Sequence, residues 1–307
     1  MAAIVDDKSE HCIPFILDRI KAHREQHGDN ARPFFLGLNG VQANARHHFH
    51  PQVTTLCQTL RTAPYALPTA VLSIDDLYLT HDAQVALAAS DPTNPLIQHR
   101  GEPGTHDLAL GRSVFASLLS KSPTAIPAYD KSAFSGQGDR ADPSTWETVN
   151  APGTPPVEVV VFEGWSVGFR AVADAALEAR WAAARDAAAK GAYDGQLARH
   201  ELRHLRFVNE RLREYDALTD MLDAFVHIDA ERTTYVYDWR LQQEAALRAA
   251  KGKGMTDEQV VHFVNGYYPA YELYTDTLRA GIFKGEKGRQ LRLVVGKDRR
   301  VKTVEKL

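Results

Sequence analysis

The sequence predicts an α/β protein: a central parallel sheet with helices on both faces, in three layers. Two features predict it. Four short runs rich in β-branched and aromatic residues, 33–39, 70–74, 157–162 and 224–228, alternate with stretches of helical periodicity. Parallel strands need such crossovers between them. Three of the four runs are closed by carboxylates, Asp75-Asp76, Glu163 and Asp229. In an open parallel sheet the ligand crevice lies beyond the carboxyl ends of the strands, so these acids are placed for chemistry.

Residues 9–27 set Ile13, Phe15, Ile16, Ile20 and the stem of Lys21 at helical spacing, with Ser9 as the candidate N-cap. Pro33 to Asn39 then reads as a buried strand ending in a turn at Gly40, and Thr54-Thr55-Leu56 as the opening of the next helix. After the second strand come two long loops rich in Pro, Gly and charge, 91–107 and 127–144. Loops of that length and texture are where function concentrates. The Ala-, Arg- and Glu-rich stretch 171–221 predicts one or two exposed helices. Leu291 to Val295 is a late strand, and the basic end from Lys297 to Lys306 is expected to be a solvated terminus. The chain shows no internal repeat and no composition break, so one domain over 1–307 is expected.

Composition narrows the class. With 307 residues, 44% hydrophobic and 24% charged, the chain is an ordinary globular protein able to bury a sizeable core. A net charge of −3 offers no global basic surface, so nucleic acid is not an expected partner. Cys12 and Cys57 cannot make a disulfide framework and suit a reducing compartment. No apolar run approaches the roughly 18–20 residues a membrane span needs, and MAAIVDDKSEH has neither signal-peptide nor transit-peptide order. The expectation is a cytoplasmic protein without a membrane partner.

Gly40-Val41-Gln42, directly after the first strand, begins like a phosphate-binding loop, G-x-x-x-x-G-K-[ST]. In that loop glycine N–H groups cradle phosphates, a Lys neutralises them and a Ser/Thr hydroxyl holds Mg²⁺. Here it does not complete: the eleven residues Ala43 to Val53 stand where four ending in Gly-Lys would fit, so the chain is seven too long and lacks the Lys. An ungapped reading sets Ala45, Arg46 and His47 at the Gly, Lys and Ser/Thr positions. His47, His48 and His50 with Cys57 invite a zinc reading, but no second ligand pair at proper spacing supports it.

The other blocks carry a resemblance. Ser73-Ile74-Asp75-Asp76-Leu77-Tyr78 is similar to the S-I-D-D-F-Y segment of small-molecule P-loop kinases, and Arg100-Gly101-Glu102-Pro103-Gly104-Thr105-His106-Asp107 to their R-G-x-P-G-T-H-D block. Tyr129-Asp130-Lys131-Ser132, Phe162-Glu163-Gly164-Trp165-Ser166-Val167-Gly168-Phe169 and Tyr235-Val236-Tyr237-Asp238-Trp239-Arg240-Leu241-Gln242 look like three more. Together, in order over roughly residues 30–300, they resemble the glycerate kinase family of plants and fungi, within the phosphoribulokinase/uridine kinase superfamily. The resemblance implies a three-layer α/β/α P-loop NTPase fold and a kinase that uses ATP and Mg²⁺ on a small hydroxy acid, D-glycerate first. It also implies that 1–30 is an N-terminal helix, 91–150 the acceptor-site loops, 171–221 a helical insertion and 231–285 a lid.

Site roles follow from the resemblance together with the needs of phosphoryl transfer: positioning, cation clamps and a carboxylate near the acceptor hydroxyl. Asp75 is the candidate base with Asp76 second, although either could be only a turn or helix-cap residue. Glu163 is the candidate acid for Mg²⁺ with Thr54, or else a structural strand-end carboxylate. Gly40, Val41, Gln42, Thr54 and Thr55 are the nucleotide candidates. Arg100, His106, Tyr129 and Lys131 lie on the long loops and suit an anionic hydroxy acid, since an Arg can grip a carboxylate with two hydrogen bonds; each could equally tie down its own loop. Arg240, with Arg248 two turns on, resembles a lid arginine over the transferring phosphate, or else belongs to a solvated face. Trp165 and Trp239 read as packing residues.

The missing Lys has a magnitude. A unit charge about 4 Å from phosphate at an effective dielectric of about 20 contributes roughly 4 kcal/mol, or roughly a thousandfold in binding or rate. The chain as written is therefore expected to be a poor ATPase or kinase, or inactive. Either 43–53 is a non-native stretch, such as mis-joined exon ends, or the chain is a catalytically impaired relative acting as a binding protein. A transferase or hydrolase on the same sheet that uses no nucleotide is a third class, under which Asp75, Glu163 and Thr54-Thr55 would share no purpose.

Overall fold

The computed structural model describes residues 7–28, 31–40, 51–252 and 254–307. The chain opens with α1 (Ser9–His27), whose apolar spacing buries Cys12, Phe15, Ile16 and Ile20. Ser9 is not its cap: the helix is preceded by Lys8, which offers no capping side chain, and Lys21 is exposed rather than laid on the core. β1 (Phe34–Gly40) follows, then α2 (Pro51–Arg61), β2 (Thr69–Ser73), α3 (His81–Ser90) and α4 (Leu108–Leu119). Two short ribbons come next, β3 (Thr124–Ile126) paired with β6 (Glu147–Val149), and β4 (Tyr129–Asp130) paired with β5 (Asp139–Arg140). β7 (Val159–Glu163), α5 (Asp174–Ala189), α6 (Leu202–Arg213), α7 (Asp216–Thr219) and β8 (Ala224–Ala230) lead to α8 (Tyr235–Lys251), α9 (Asp257–Asn265), α10 (Tyr268–Arg279), β9 (Gln290–Val295) and β10 (Val301–Lys306).

Six strands form the main sheet in the order β10-β9-β8-β1-β7-β2, parallel except for β10. β1 is central. Because its side chains alternate, Phe34 meets His23 of α1 on one face while Phe35 meets Phe115 of α4 on the other. Phe115 also packs edge-on against Phe162 of β7. The expected three layers are present. Chain order reverses around β1, which connects outward to β2 on one side while β7 crosses over it to β8. The carboxyl end of β1 therefore lies at the switch point where such sheets bind ligands.

Four segments differ from the expectation. Residues 91–150 are not only loops: the twelve-residue α4 sits among them, capped by Asp107. The stretch 171–221 is not simply exposed, because α6 buries His204, Leu205, Val208, Asn209 and Leu212. The basic end pairs as β10, antiparallel to β9, its lysines facing solvent as edge strands favour. Lastly, Asp229 does not close β8 but lies inside it, fully buried. Among the described residues no helix is long and apolar enough to cross a membrane.

Candidate functional site

The acids gather at the carboxyl ends of β7 and of the edge strand β2, to one side of β1. β2 runs into a 3₁₀ turn, Ile74–Leu77, begun by Ser73, whose hydroxyl accepts from the Asp75 N–H at 3.3 Å. Gly164, just after β7, keeps this turn in place: any Cβ there would collide with Ile74. Asp75 Oδ2 pairs with Lys131 Nζ at 2.5 Å, while Asp75 Oδ1 is buried with no hydrogen-bond partner. Burial alone would raise the Asp75 pKa; the charge and hydrogen bond of Lys131, with His106 and the Tyr78 hydroxyl, hold it below the usual carboxylate value. Asp76 has a different task. It accepts the Tyr129 N–H at 3.1 Å and so fastens β4 to the turn.

Glu163 ends β7 in register with Leu38 of β1 and Ser73 of β2. Burial, against a hydrogen bond from Ser73, and the charges of Asp75 and Asp76 push its pKa up to about 7. The residue is half-buried. Three carboxylates thus feel one another here, and the Lys131 ammonium, paired with Asp75, also acts on Glu163. The described residues contain no cluster of three or more His, Cys, Asp or Glu side chains arranged to hold a metal by themselves.

The long loops form the opposite wall. The 100–107 block pairs with the 77–79 segment through Leu79 N–H to Thr105 O and Asp107 N–H to Leu77 O. His106 stacks on Tyr78 with ring centroids 4.5 Å apart. Its Nδ1 meets the Tyr215 hydroxyl at 2.6 Å, and that hydroxyl also accepts the Gly104 N–H at 2.9 Å. Burial, opposed by the Asp75 charge, lowers the His106 pKa to about 4, so the ring is neutral. Arg100 points its guanidinium at the carbonyls of Lys131, Gly136 and Gln137 and lies over the rings of Tyr78 and Tyr129. In this arrangement it ties down the loop that carries Lys131. Tyr129 is buried, and burial raises its pKa.

On the nucleotide side, Gly40 ends β1 as expected. Val41, Gln42, Ala45, Arg46, His47, His48 and His50 lie outside the described residues. Thr54 and Thr55 do not open α2; the helix begins at Pro51, a residue suited to the first helical position. Val53, the residue before Thr54, is fully buried in the core, so no cation is presented from there. Cys57 is buried, and burial pushes its thiol up to about 12. Arg240 is not on a solvated face. It is 1% exposed, donates to Gln243 Oε1 at 2.7 Å and lies over the Phe263 ring. Arg248 instead pairs with Asp257 near the surface. Trp165 and Trp239 are buried packing residues, as the sequence suggests.

The structure therefore brings together Asp75, Asp76, Glu163, His106, Tyr129, Lys131 and Arg100, whereas no hydrogen bond or ion pair joins Arg240 to any of the acids. Sequence reading passes over Tyr78, although it stands inside the S-I-D-D block, and Ser73, whose hydroxyl serves both Asp75 and Glu163. It also passes over Tyr215, which comes from the helical insertion and carries no local signal, and Tyr267 at the start of α10, which the charge of Asp75 reaches.

No family model matches the chain. A Schizosaccharomyces pombe protein named uncharacterized kinase mug58 is 39% identical over 271 residues, 87% of this chain and 90% of that one. The chloroplastic D-glycerate 3-kinase of Arabidopsis thaliana is 35% identical over 86% of this chain, which spans about half (53%) of that relative's length. Among solved structures, the D-glycerate 3-kinase of Cryptococcus neoformans superposes with a TM-score of 0.87 at 35% identity, covering 99% of this chain and 100% of that one. By fold and by these likenesses, the chain belongs to the glycerate kinase-like family of kinases, built on the α/β fold of P-loop NTPases.

Proposed function

We propose that the chain transfers the γ-phosphate of ATP to a hydroxyl of a small hydroxy acid, D-glycerate first. The observation that carries this reading is the Asp75 carboxylate just past the carboxyl end of β2, one oxygen engaged by Lys131 and the other buried without a hydrogen bond. An ionised carboxylate held in that way can take the proton of an acceptor hydroxyl as it attacks. Lys131 fixes its orientation, Asp76 fastens the ribbon that leads to Lys131, and Arg100 holds the loop beyond it. The relatives named D-glycerate 3-kinase supply the choice of acceptor.

The residues present fit a divalent cation. Glu163, whose pKa burial and then the charges of Asp75 and Asp76 raise to about 7, is a carboxyl that positive charge would stabilise as the anion. Thr54 and Glu163 would hold Mg²⁺, which when bound supplies charge neutralisation to the phosphoryl group. Gly40, Val41, Gln42 and Thr55 remain the proposed nucleotide contacts, with Arg240 and the 231–285 region as the lid. The absence of a Lys before Thr54 leaves ATP binding weaker than in a complete loop, by the roughly thousandfold that such a charge contributes. We take 1–307 as one domain acting in the cytoplasm.

ADP release tests the reading, with ATP and Mg²⁺ present and D-glycerate, uridine, pantothenate and ribulose 5-phosphate offered in turn. D-glycerate-dependent release is expected. Turnover of another acceptor but not D-glycerate removes the substrate assignment, and failure to bind ATP·Mg²⁺ at millimolar concentration removes the activity.

A further inference from the structure

Buried polar atoms without partners are rare in folded proteins, and each needs a reason. Besides Glu102 Oε2 and the Ser166 hydroxyl, three of them lie on elements around Asp75, on side chains at least nine-tenths buried: His106 Nε2, the Tyr267 hydroxyl and Arg240 Nε. Their hydrogen-bonding character can be worked out. The Tyr215 oxygen accepts from Gly104 N–H, so its own proton goes to the acceptor beside it, His106 Nδ1. A neutral imidazole that accepts at Nδ1 carries its proton on Nε2. The other two are a hydroxyl and a guanidinium N–H. All three are donors, and an unpaired set of donors calls for an oxygen-rich anion.

These donors share a neighbourhood. The charge of Asp75 reaches both His106 and Tyr267, and the charge of Arg240 reaches Tyr267. Tyr267 is wedged between Trp165, two residues beyond Glu163, and Phe263, over which Arg240 lies. The loop of the 100–107 block approaches the same helices, since His99 feels the charge of His262 in α9. Arg100 turns Nη1 and Nη2 to three loop carbonyls rather than toward these donors.

We propose that Tyr267 is a specificity-determining residue: its hydroxyl and the Nε2–H of His106 bind the carboxylate of the acceptor, with Arg240 supplying positive charge behind them, while the reacting hydroxyl lies at Asp75. The inference rests on the phosphoryl-transfer reading above and adds to it the groups that select an acid over a neutral alcohol.

The test is Tyr267→Phe in the full chain, which removes one hydroxyl and keeps the ring packing. The KM for D-glycerate is expected to rise roughly tenfold to a hundredfold, the worth of a hydrogen bond to a charged group. The KM for ATP and the turnover of glycerol, which lacks the carboxylate, should stay unchanged. His106→Leu should act in the same direction and His106→Gln, which can present an N–H at similar reach, should restore part of the loss. An unchanged D-glycerate KM, or equal losses with D-glycerate and glycerol, overturns the proposal. Calorimetry separates it from the kinase reading. If the wild-type chain turns over nothing yet binds D-glycerate and loses that binding in Tyr267→Phe, the carboxylate site stands and the activity falls; if neither chain binds D-glycerate, the site falls too.

Discussion

Asp75 and Asp229 are both enclosed aspartates near the carboxyl edge of one parallel sheet, and they are finished in opposite ways. Asp229 is fully buried in β8, with Arg279 on both of its oxygens and Arg292 on Oδ2. Burial would raise its pKa, but the two guanidinium groups and His227 hold it below the usual value. Asp75, its side chain 15% exposed, has one cation on Oδ2 and the Tyr78 hydroxyl close to the carboxylate, while its buried Oδ1 makes no hydrogen bond. A carboxylate with both oxygens held by guanidinium N–H groups serves the fold, since nothing can approach it without breaking a buried pair. One with a buried oxygen in reserve has been left incomplete, and that is the arrangement a reaction can use.

The largest expected effect comes from exchanging each acid for its amide. Asp75→Asn should lower kcat by about 10²–10⁴-fold, the usual contribution of a positioned base, with stability changed by no more than about 1 kcal/mol because Lys131 can turn to solvent. Asp229→Asn should do the reverse: about 3–5 kcal/mol of stability lost as the buried ion pairs at Asp229 are broken, leaving Arg279 and Arg292 only their outer partners Asp276 and Glu305, with the KM values of the surviving folded enzyme unchanged. Denaturant titration beside steady-state kinetics on both variants checks this. If the two variants behaved alike, the distinction between filled and open carboxylates would collapse.

Acid should expose a feature the two regions share. His106 beside Asp75 and His227 beside Asp229 are both held neutral, burial lowering each pKa to about 4. Both values lie below the unfolded value of 6.5, so between about 4 and 6.5 the unfolded chain binds more protons and stability rises with pH. The stabilisation is therefore intact above the unfolded pKa and is lost as pH falls through that window, up to about 3 kcal/mol for each ring. His227→Leu should flatten the fall measured by denaturant titration from pH 7 to pH 5. A variant that loses as much stability as the wild type over that range would show that His227 is not one of the titrating groups.

Much of this is legible in the sequence, and the misses have physical causes. The four parallel strands and the acids after β2 and at the end of β7 can be read because β-branched runs and strand-end carboxylates are local signals. Asp229 misleads because strand length is fixed by pairing with β9, which continues to Ala230. The basic end misleads because β10 draws its order from β9 rather than from its own exposed side chains. Tyr215 and Tyr267 leave no local trace: each acts on Asp75's surroundings through a helix far away in sequence. Arg240 shows the right residue type, but only packing reveals that it is buried over Phe263.

The smallest effect is also the most discriminating. Arg100 holds the loop that presents Lys131 to Asp75 and does so with a planar fork that a lysine ammonium cannot reproduce. Arg100→Lys should raise the acceptor KM by roughly fivefold to tenfold, the worth of about one charge-assisted hydrogen bond. A loop-holding role disturbs Asp75 through Lys131, so D-glycerate and glycerol should suffer equally. The acid limb of the pH-rate profile should then shift upward, as Asp75 loses the cation that depresses its pKa. If Arg100 instead gripped the carboxylate, only D-glycerate would suffer and the acid limb would not move. The pattern expected for Arg100→Lys is thus the opposite of that expected for Tyr267→Phe, and measuring both variants against both acceptors separates the residue that shapes the site from the one that reads the substrate.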